Sequence, residues 1–244
     1  MSTPYYESDD ALAQYLWLHY APAEPPPFPV RCVTETVDRD RLPARARALD
    51  LGCAVGRSSF ELARWCDDVV GLDYARRFVE AATQLQAGQA LDYELAEQGE
   101  LRERFTARAP EGVDLARVRF EQGDAQALPN DLGTFDVVLL ANLLCRLTEP
   151  KRCLARMKNL VRPGGQLVIT TPSTWKQIHT PRENWLGGFT RDGVAVRTLD
   201  GLHAGLDPDF TLHQRLDLPL LIREHARKFE YIVAEATVWH RTDR

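Results

Sequence analysis

The sequence predicts an α/β fold built on a mostly parallel sheet, and three stretches indicate it. Residues 46–74, ARALDLGCAVGRSSFELARWCDDVVGLDY, run from a short apolar segment through a glycine turn and a helical pattern to a second apolar segment. Residues 135–141, FDVVLLA, are strongly apolar and predict the central strand. Residues 209–241 contain two alternating segments, which predict an antiparallel pair that closes the sheet. In such sheets, ligands bind at the carboxyl ends of the strands.

The turn after the first strand consists of small residues, and the second strand ends on an acid. Gly52, Ala54 and Gly56 alternate in the turn, so that a ligand can approach the backbone closely. Asp73 ends the neighbouring strand, where its carboxylate can accept both hydroxyls of a ribose. The stretch therefore predicts a βαβ unit that binds a nucleoside.

Two ligand classes fit this unit, and a tight turn without any ligand is the simpler alternative. Dinucleotide enzymes use G-x-G-x-x-G, whereas the small residues here are spaced one residue more tightly and follow Asp50. The resulting D-x-G-x-A-x-G pattern resembles the first motif of class I S-adenosylmethionine-dependent methyltransferases, with Ala54 at the middle glycine. The resemblance implies S-adenosylmethionine as cofactor, with its methionine part on the turn and its ribose on Asp73.

Length, charge and cysteine usage bound the possible functions. The 244 residues predict a single domain, and the net charge of −5 without a basic block argues against a nucleic-acid partner. No apolar run reaches the roughly 20 residues of a membrane span, and the polar N-terminus does not read as a signal peptide. The five cysteines form no C-x-x-C pair, which predicts reduced thiols in a cytoplasmic protein.

The single domain divides into an N-terminal helical lid with its connector, residues 1–45, and a core, residues 46–244. Residues 8–21 have a helical pattern, and this helix either packs on the domain or covers a small substrate. The proline-rich residues 22–29 predict an extended connector, and residues 30–38 predict a short helix.

A long polar segment interrupts the core. Residues 75–86 carry a helical pattern, and residues 87–116 are rich in Glu, Gln and Arg. The polar segment predicts an insertion that is helical in part, either as a solvated helix or as a surface for a partner.

Three further motifs arrive in the order of the same family. Asp124 and Ala125 follow the third strand and resemble its adenine-binding loop, although Asp124 alone also suits a helix cap. Asn142 follows the central strand and is expected beside the transferred methyl group, with Arg146 one helical turn further on. The turn that leads into the next strand, LVRPGGQL at residues 160–167, also recurs in that family. The resemblance implies a Rossmann-like class I methyltransferase fold, a seven-stranded mostly parallel sheet with an antiparallel last strand.

The acceptor is expected to lie against residues 172–189, PSTWKQIHTPRENWLGGF, because this loop is polar and aromatic and follows a strand end. The candidates for its pocket, which also draw on the N-terminus, are Tyr5, Tyr6, Arg146, Thr171, Trp175, Glu183 and Trp185. The candidates for the cofactor site are Asp50, Gly52, Ala54, Gly56, Arg57, Asp73, Tyr74, Asp124, Ala125 and Asn142. Asn142 and Arg146 are the candidates nearest the chemistry, and the scattered histidines predict no metal site.

Stretches outside the cofactor motifs narrow the resemblance. YYESDDALAQYLWLHY, FPVRCV, ITTPSTW, TPRENWLGG and LIREHARKFEY resemble the methyltransferase domain of ovothiol biosynthesis. In that family the domain is often the C-terminal half of a bifunctional 5-histidylcysteine sulfoxide synthase, and it methylates a ring nitrogen of 5-thiohistidine to give ovothiol A. The iron-dependent synthase half has no counterpart in this sequence.

The resemblance implies direct in-line transfer of a methyl group to a neutral imidazole nitrogen, with positioning as the main source of catalysis. Two alternatives stay open. The chain can methylate another small-molecule imidazole, thiol or amine, or it can bind cofactor without turnover as the partner of a sulfoxide synthase.

Overall fold

A mixed β-sheet forms the centre of the molecule. The computed structural model describes residues 4–242. The strands of this central sheet are β1 (Arg47–Leu51), β2 (Asp68–Asp73), β5 (Val118–Gln122), β6 (Phe135–Ala141), β7 (Val161–Thr171), β10 (Phe210–His225) and β11 (Lys228–Arg241). Two small hairpins outside it consist of β3 (Leu91–Gln98) with β4 (Leu101–Ala107), and β8 (Phe189–Arg191) with β9 (Val194–Val196).

The order of the strands confirms the predicted fold. Across the described residues the seven strands lie in the order β10-β11-β7-β6-β1-β2-β5, so β6 is central. Neighbours from β7 to β5 are parallel, whereas β11 pairs antiparallel with both β7 and β10. The chain leaves β1 towards β2 and later returns through β6 on the other side of β1. The carboxyl ends of β1 and β6 therefore form the topological switch point, where open α/β sheets bind their ligands.

Helices cover both faces of the sheet. They are α1 (Asp9–Tyr20), α2 (Phe28–Thr34), α3 (Arg57–Leu62), α4 (Arg76–Gln86), α5 (Pro150–Leu160) and α6 (Thr198–Leu206). Val137 and Leu139 of β6 pack towards α1–α4, and Val138 and Leu140 pack towards α5 and α6. A strand buried on both faces needs apolar residues at every position, which explains the continuous run in β6.

The N-terminal helix forms as predicted. The Ser8 hydroxyl accepts a hydrogen bond from the Ala11 N–H, and this cap begins α1. The expectation that residues 22–29 lack helix is wrong at its end, because α2 already begins at Phe28 and contains Pro29 in its first turn. Proline is tolerated there, since the first helical N–H groups need no partner within the helix.

The expected partial helix within residues 87–116 is also wrong. The segment forms the β3–β4 hairpin, and only a short 3₁₀ turn at Leu115–Arg117 follows. Tyr93 stacks on Phe105 at a ring-centroid distance of 5.5 Å, with Tyr93 buried against the main domain. The alternation of Leu91, Tyr93 and Leu95 with polar residues is the strand period that the high charge of the segment obscured.

The β10–β11 hairpin extends beyond the end of β7 and packs on the N-terminal helices. The Gln14 amide donates to the carbonyl of Arg223 at 3.0 Å, and the Arg31 guanidinium donates to the carbonyl of Pro219 at 3.0 Å. Arg223 is buried and forms an ion pair with Glu103 of the β3–β4 hairpin at 2.6 Å. These contacts join the β10–β11 hairpin to α1, to α2 and to the β3–β4 hairpin, so the N-terminal segment is part of the packed structure.

Three further observations concern the cysteines, membrane-spanning helices and clusters of metal-ligating side chains. All five cysteines are buried and unpaired. No helix within residues 4–242 has the length and apolarity to cross a bilayer. The same described residues contain no cluster of three potential metal-ligating side chains.

Candidate functional site

A partly enclosed cavity of about 200 Å³ lies at the switch point of the sheet. Its floor is formed by the ends of β1, β2 and β6, its roof by α1 and by Leu220, Ile222 and Ile232 of the β10–β11 hairpin. The sequence-predicted residues that line it are Tyr6, Gly52, Ala54, Asp73, Tyr74, Asp124, Ala125, Asn142 and Arg146. The fold thus brings together residues from five separate stretches of the chain.

The glycine turn presents backbone to this cavity. Gly52 has φ 80°, and a Cβ added there would lie 3.0 Å from a methyl carbon of Leu143. Ala54 has φ 47°, an uncommon conformation for a residue with a side chain. The turn is fixed by the N–H groups of Gly52 and Cys53, which both donate to the carbonyl of Leu72. A larger side chain at either position would therefore intrude on the cavity or distort the turn.

Asp50 lies beneath the turn and does not line the cavity. Its Oδ2 accepts hydrogen bonds from Ser58 and Ser59, both at 2.6 Å, while its Oδ1 is buried without a partner. Burial raises the pKa of Asp50 to about 6. Gly56 with φ 86° occupies the N-cap position of α3, and the two serine hydroxyls support Asp50.

Arg57 and Gly56 lie behind the cavity as well. The Arg57 guanidinium pairs with Glu61 at 3.1 Å, and burial lowers the pKa of Arg57. Gly56 is required by packing, because a Cβ there would lie 2.5 Å from the ring of Phe120.

Asp73 lines the cavity and also holds the turn. Its Oδ2 accepts from the Ala54 N–H at 2.9 Å, and its Oδ1 accepts from the Ala75 N–H at 2.8 Å. A carboxylate has about four acceptor positions, so about two remain for a ligand. Burial outweighs these hydrogen bonds and raises the pKa of Asp73 to about 6.

The loop after β5 supplies the next part of the wall. Asp124 Oδ1 accepts from the Gln126 N–H at 2.8 Å, and Gln126 Oε1 accepts from the Thr148 hydroxyl at 2.8 Å. Asp124 therefore stabilises its own turn and also lines the cavity beside Ala125. The helix that the cap alternative expected after Asp124 does not form, since the chain makes only turns between β5 and β6.

Asn142 and Arg146 follow β6 on the cavity wall. Asn142 has φ 53°, and its Oδ1 accepts from the Thr170 hydroxyl at 3.0 Å. A non-glycine residue in this conformation is held there by its surroundings, here β6 and β7. The half-buried guanidinium of Arg146 has no hydrogen bond or ion pair within residues 4–242, although it faces the cavity.

The lid contributes aromatic side chains that the sequence did not single out for the site. Tyr15, Leu18 and His19 of α1 line the cavity together with Tyr6. Burial raises the pKa of both tyrosines, although the nearby Arg146 cation acts in the opposite direction. The phenols are therefore neutral donors over the physiological pH range. In the sequence, Tyr15 and His19 lie four positions apart, which indicates that they share one face of the helix.

His19 is buried in this wall, and its Nδ1 has no hydrogen-bond partner. Burial, together with the nearby Arg57 cation, lowers the pKa of His19 from 6.5 to about 3. His19 therefore binds a proton near pH 6.5 in the unfolded chain, but only near pH 3 in the folded chain. Stability linked to His19 is complete above pH 6.5 and is lost as the pH falls towards 3.

His19→Phe is expected to remove this pH dependence. Between pH 8 and pH 5 the wild type should lose about 2 kcal/mol of the free energy of unfolding through His19, and the variant should not show this loss. Urea unfolding at the two pH values measures the difference, and His213→Phe, at an exposed histidine of β10, is the control. Equal pH dependence of wild type and His19→Phe would contradict a buried neutral imidazole.

Five of the predicted acceptor residues lie outside the cavity lining. Trp175 donates its indole N–H to Thr198, and Trp185 donates its own to the carbonyl of Thr180. Thr171 is buried and accepts from the Ser173 N–H at 3.0 Å. The two others are Tyr5, half exposed with its hydroxyl on Gln14, and the exposed Glu183. The residue of the 172–189 loop that reaches the cavity wall, beside Pro172, is His179.

Comparison with known proteins identifies the domain. Residues 49–169 match the family described as "Methyltransferase domain". These residues form a methyltransferase domain, and the sheet has the class I methyltransferase fold. S-adenosylmethionine is the cofactor of this domain, as the glycine motif predicted.

Individual relatives agree on the methyltransferase domain. The chain is 32% identical to a trans-aconitate 2-methyltransferase of Deinococcus radiodurans, over 62% of this chain and 50% of that protein. It is 30% identical to a ubiquinone biosynthesis O-methyltransferase of Cereibacter sphaeroides, over 66% of this chain and 60% of that protein. The chain thus spans about half the length of the curated relatives it matches.

Solved structures show the same fold at lower identity. A SAM-dependent methyltransferase of Methanosarcina mazei superposes with a TM-score of 0.56 at 18% identity, over 84% of this chain and 96% of that one. The YcgJ protein of Bacillus subtilis superposes with a TM-score of 0.54 at 14% identity, over 83% of this chain and 94% of that one.

The cavity of the methyltransferase domain fits the cofactor chemically. The backbone at Gly52 and Ala54 is open to a ligand, and the spare acceptor positions of Asp73 suit two ribose hydroxyls. Leu51, Leu72 and Leu143 provide apolar wall between these polar groups. Pockets for small molecules typically combine such apolar lining with a few converging polar groups.

Proposed function

We propose that the protein is an S-adenosylmethionine-dependent methyltransferase that acts on a small acceptor bearing a carboxylate. The observation that carries this proposal is Arg146, a cavity-lining cation without a hydrogen-bond acceptor within residues 4–242. The turn would hold the methionine part of the cofactor, including its carboxylate, and Asp73 would hold the ribose, which leaves Arg146 for the acceptor. A partly buried guanidinium is well suited to a carboxylate, which it can bind through two parallel hydrogen bonds.

We propose 5-thiohistidine as the acceptor and ovothiol A as the product. The proposal is supported by the resemblance to the ovothiol methyltransferase domain, which extends from the lid to the last strand. Tyr6 and Tyr15 add aromatic surface for a flat ring and neutral hydroxyl donors. The imidazole, carboxylate and thiolate of 5-thiohistidine would each find a complementary group in such a wall.

The residues of this chain would act by positioning. S-adenosylmethionine, when bound, supplies an activated methyl group. Arg146 would hold the acceptor carboxylate, and Asn142, fixed by Thr170, would border the reacting atoms. The lid helix would exclude water from the acceptor, which strengthens each polar contact in the cavity. Orientation of this kind is a large source of rate acceleration.

A different carboxylate acceptor is the second candidate, because Arg146 does not distinguish one carboxylate from another. A curated relative acts on trans-aconitate according to its name, and that acid has no ring. The aromatic lining favours a planar acceptor over an aliphatic one.

Mass spectrometry of 5-thiohistidine incubated with the enzyme and S-adenosylmethionine tests the proposal, with histidine and trans-aconitate as competing acceptors. We expect one added methyl, on a ring nitrogen, in 5-thiohistidine alone. Arg146→Gln is expected to raise the acceptor KM by about 10-fold to 100-fold, since a charged hydrogen bond contributes about 1.5–3 kcal/mol. Arg152→Gln, at an exposed arginine of α5, is the matched control. Methylation of trans-aconitate instead would refute the choice of acceptor.

A further inference from the structure

The loop that carries His179 is fixed to the chain segment that follows Arg146. The Thr180 hydroxyl donates to the carbonyl of Leu147 at 2.6 Å, and the Asn184 amide donates to the carbonyl of Thr148 at 2.9 Å. The Trp185 indole N–H closes the loop on the carbonyl of Thr180 at 2.8 Å. Thr180 is fully buried, so its bond to Leu147 is shielded from water. They hold His179 on the same cavity wall as Arg146.

His179 has the properties of a base that is ready to accept a proton. Its ring is half buried, and no group within residues 4–242 forms a hydrogen bond with either ring nitrogen. Burial, with the Arg146 and Lys176 cations that face it, lowers the pKa of His179 below 6.5. The imidazole is therefore neutral at pH 7, and its unprotonated nitrogen is free. Arg146 reaches it from the segment after β6, and Lys176 belongs to its own loop.

The proposed acceptor requires such a base. A thiolate attached to an imidazole ring stabilises a positive charge on that ring, as any neighbouring anion does. The protonated ring carries hydrogen on both nitrogens, so neither nitrogen has a lone pair for attack. One of these protons must be removed before the new bond forms or while it forms. Attack by a ring that is already neutral includes no such proton transfer.

We propose that His179 is the catalytic base that removes this proton from the acceptor ring, an inference that rests on the proposed function. The N–H proton passes to the free imidazole nitrogen of His179. The lone pair left on the acceptor nitrogen forms the bond to the methyl carbon. The methyl–sulfur bond breaks, and its electron pair stays on the sulfur, which becomes a neutral thioether. The proton leaves His179 to solvent after the product departs.

Arg146 links substrate binding to this step. While the cavity wall is free of substrate, the guanidinium disfavours a second cation on His179. A carboxylate bound to Arg146 cancels much of that repulsion, so the pKa of His179 rises when the acceptor binds. With an acceptor that lacks a carboxylate, the pKa of His179 would stay low and His179 would remain a weaker base. This effect adds to the selectivity for carboxylates that the contact with Arg146 provides.

The test compares wild type, His179→Gln and His179→Ala in methylation of 5-thiohistidine across pH 5 to 9. We expect kcat of both variants to fall about 100-fold, within the range that general-base catalysis contributes. The decline of wild-type kcat at acid pH should disappear in His179→Gln. Added imidazole should restore part of the activity of His179→Ala, which a purely structural role of His179 would not allow. Calorimetry with S-adenosylhomocysteine should give unchanged affinity in both variants.

His213→Gln, at the exposed histidine of β10, is the control and should keep wild-type kcat. Variants of His179 with kcat within threefold of wild type and an unchanged pH profile would overturn the proposed base. Loss of activity in His179→Ala without recovery by imidazole, together with an unchanged profile in His179→Gln, would also overturn it. If the wild type leaves 5-thiohistidine unmodified, the proposed function itself fails, which is a distinct result.

Discussion

Asp73→Ala is expected to weaken the binding of S-adenosylhomocysteine by about 30-fold or more. The carboxylate has about two acceptor positions left after the Ala54 and Ala75 N–H groups are satisfied. The loss of charged hydrogen bonds to both ribose hydroxyls corresponds to roughly 2 kcal/mol or more. The pKa of Asp73, raised to about 6, adds a pH signature, because the ionised acceptor form is populated only as the pH rises through 6. Calorimetry at pH 5 and pH 8 measures both effects.

Two variants separate ligand binding from support of the turn. Asp73→Asn keeps an amide oxygen for one backbone N–H, yet it removes the charge and should abolish the pH dependence of binding. Asp68→Ala removes a carboxylate from the opposite end of β2, where it pairs with Arg47, and should leave the affinity unchanged. An alanine variant of Asp73 that folds and binds as tightly as the wild type would refute the ribose assignment.

The cofactor half of the site could be predicted because its requirements lie within short stretches of sequence. A ligand that contacts backbone needs small residues in the turn, and Gly52 and Ala54 satisfy this within three positions. The acid that ends β2 lies at a fixed distance from the turn because one βαβ unit connects the two. The central strand was recognisable since burial on both faces leaves a continuous apolar run.

The acceptor half could not be predicted in the same way, because it depends on contacts between distant segments. Trp175 and Trp185 look like ring-binding residues in the sequence, but each indole N–H has a partner inside the protein. Neither ring lines the cavity, whereas His179, four residues beyond the first tryptophan, does. Nothing in the local pattern reports the bond between Thr180 and Leu147, which is 33 residues away and fixes this arrangement.

Gly201→Ala is expected to cause a large loss of stability, although it adds a single methyl group. A Cβ at Gly201 of α6 would lie 2.1 Å from the carbonyl oxygen of Leu186 and 2.7 Å from its carbonyl carbon. Backbone atoms cannot rotate away as a side chain does, so α6 or the loop must move. We expect a loss of about 3 kcal/mol or more in the free energy of unfolding. Urea unfolding, followed by circular dichroism, measures it.

The same helix provides a matched control for this close contact. Gly205 lies one turn further along α6, and a Cβ there would lie 3.2 Å from a methyl carbon of Leu154, which can shift. Gly205→Ala should therefore be neutral or stabilising by up to about 1 kcal/mol, because alanine favours helix over glycine. Leu186 belongs to the loop that carries His179, so displacement by Gly201→Ala should also lower kcat while cofactor affinity is retained. Equal stability of the two variants would mean that the loop is not held against α6 by backbone contact, and that the position of His179 depends on its hydrogen bonds alone.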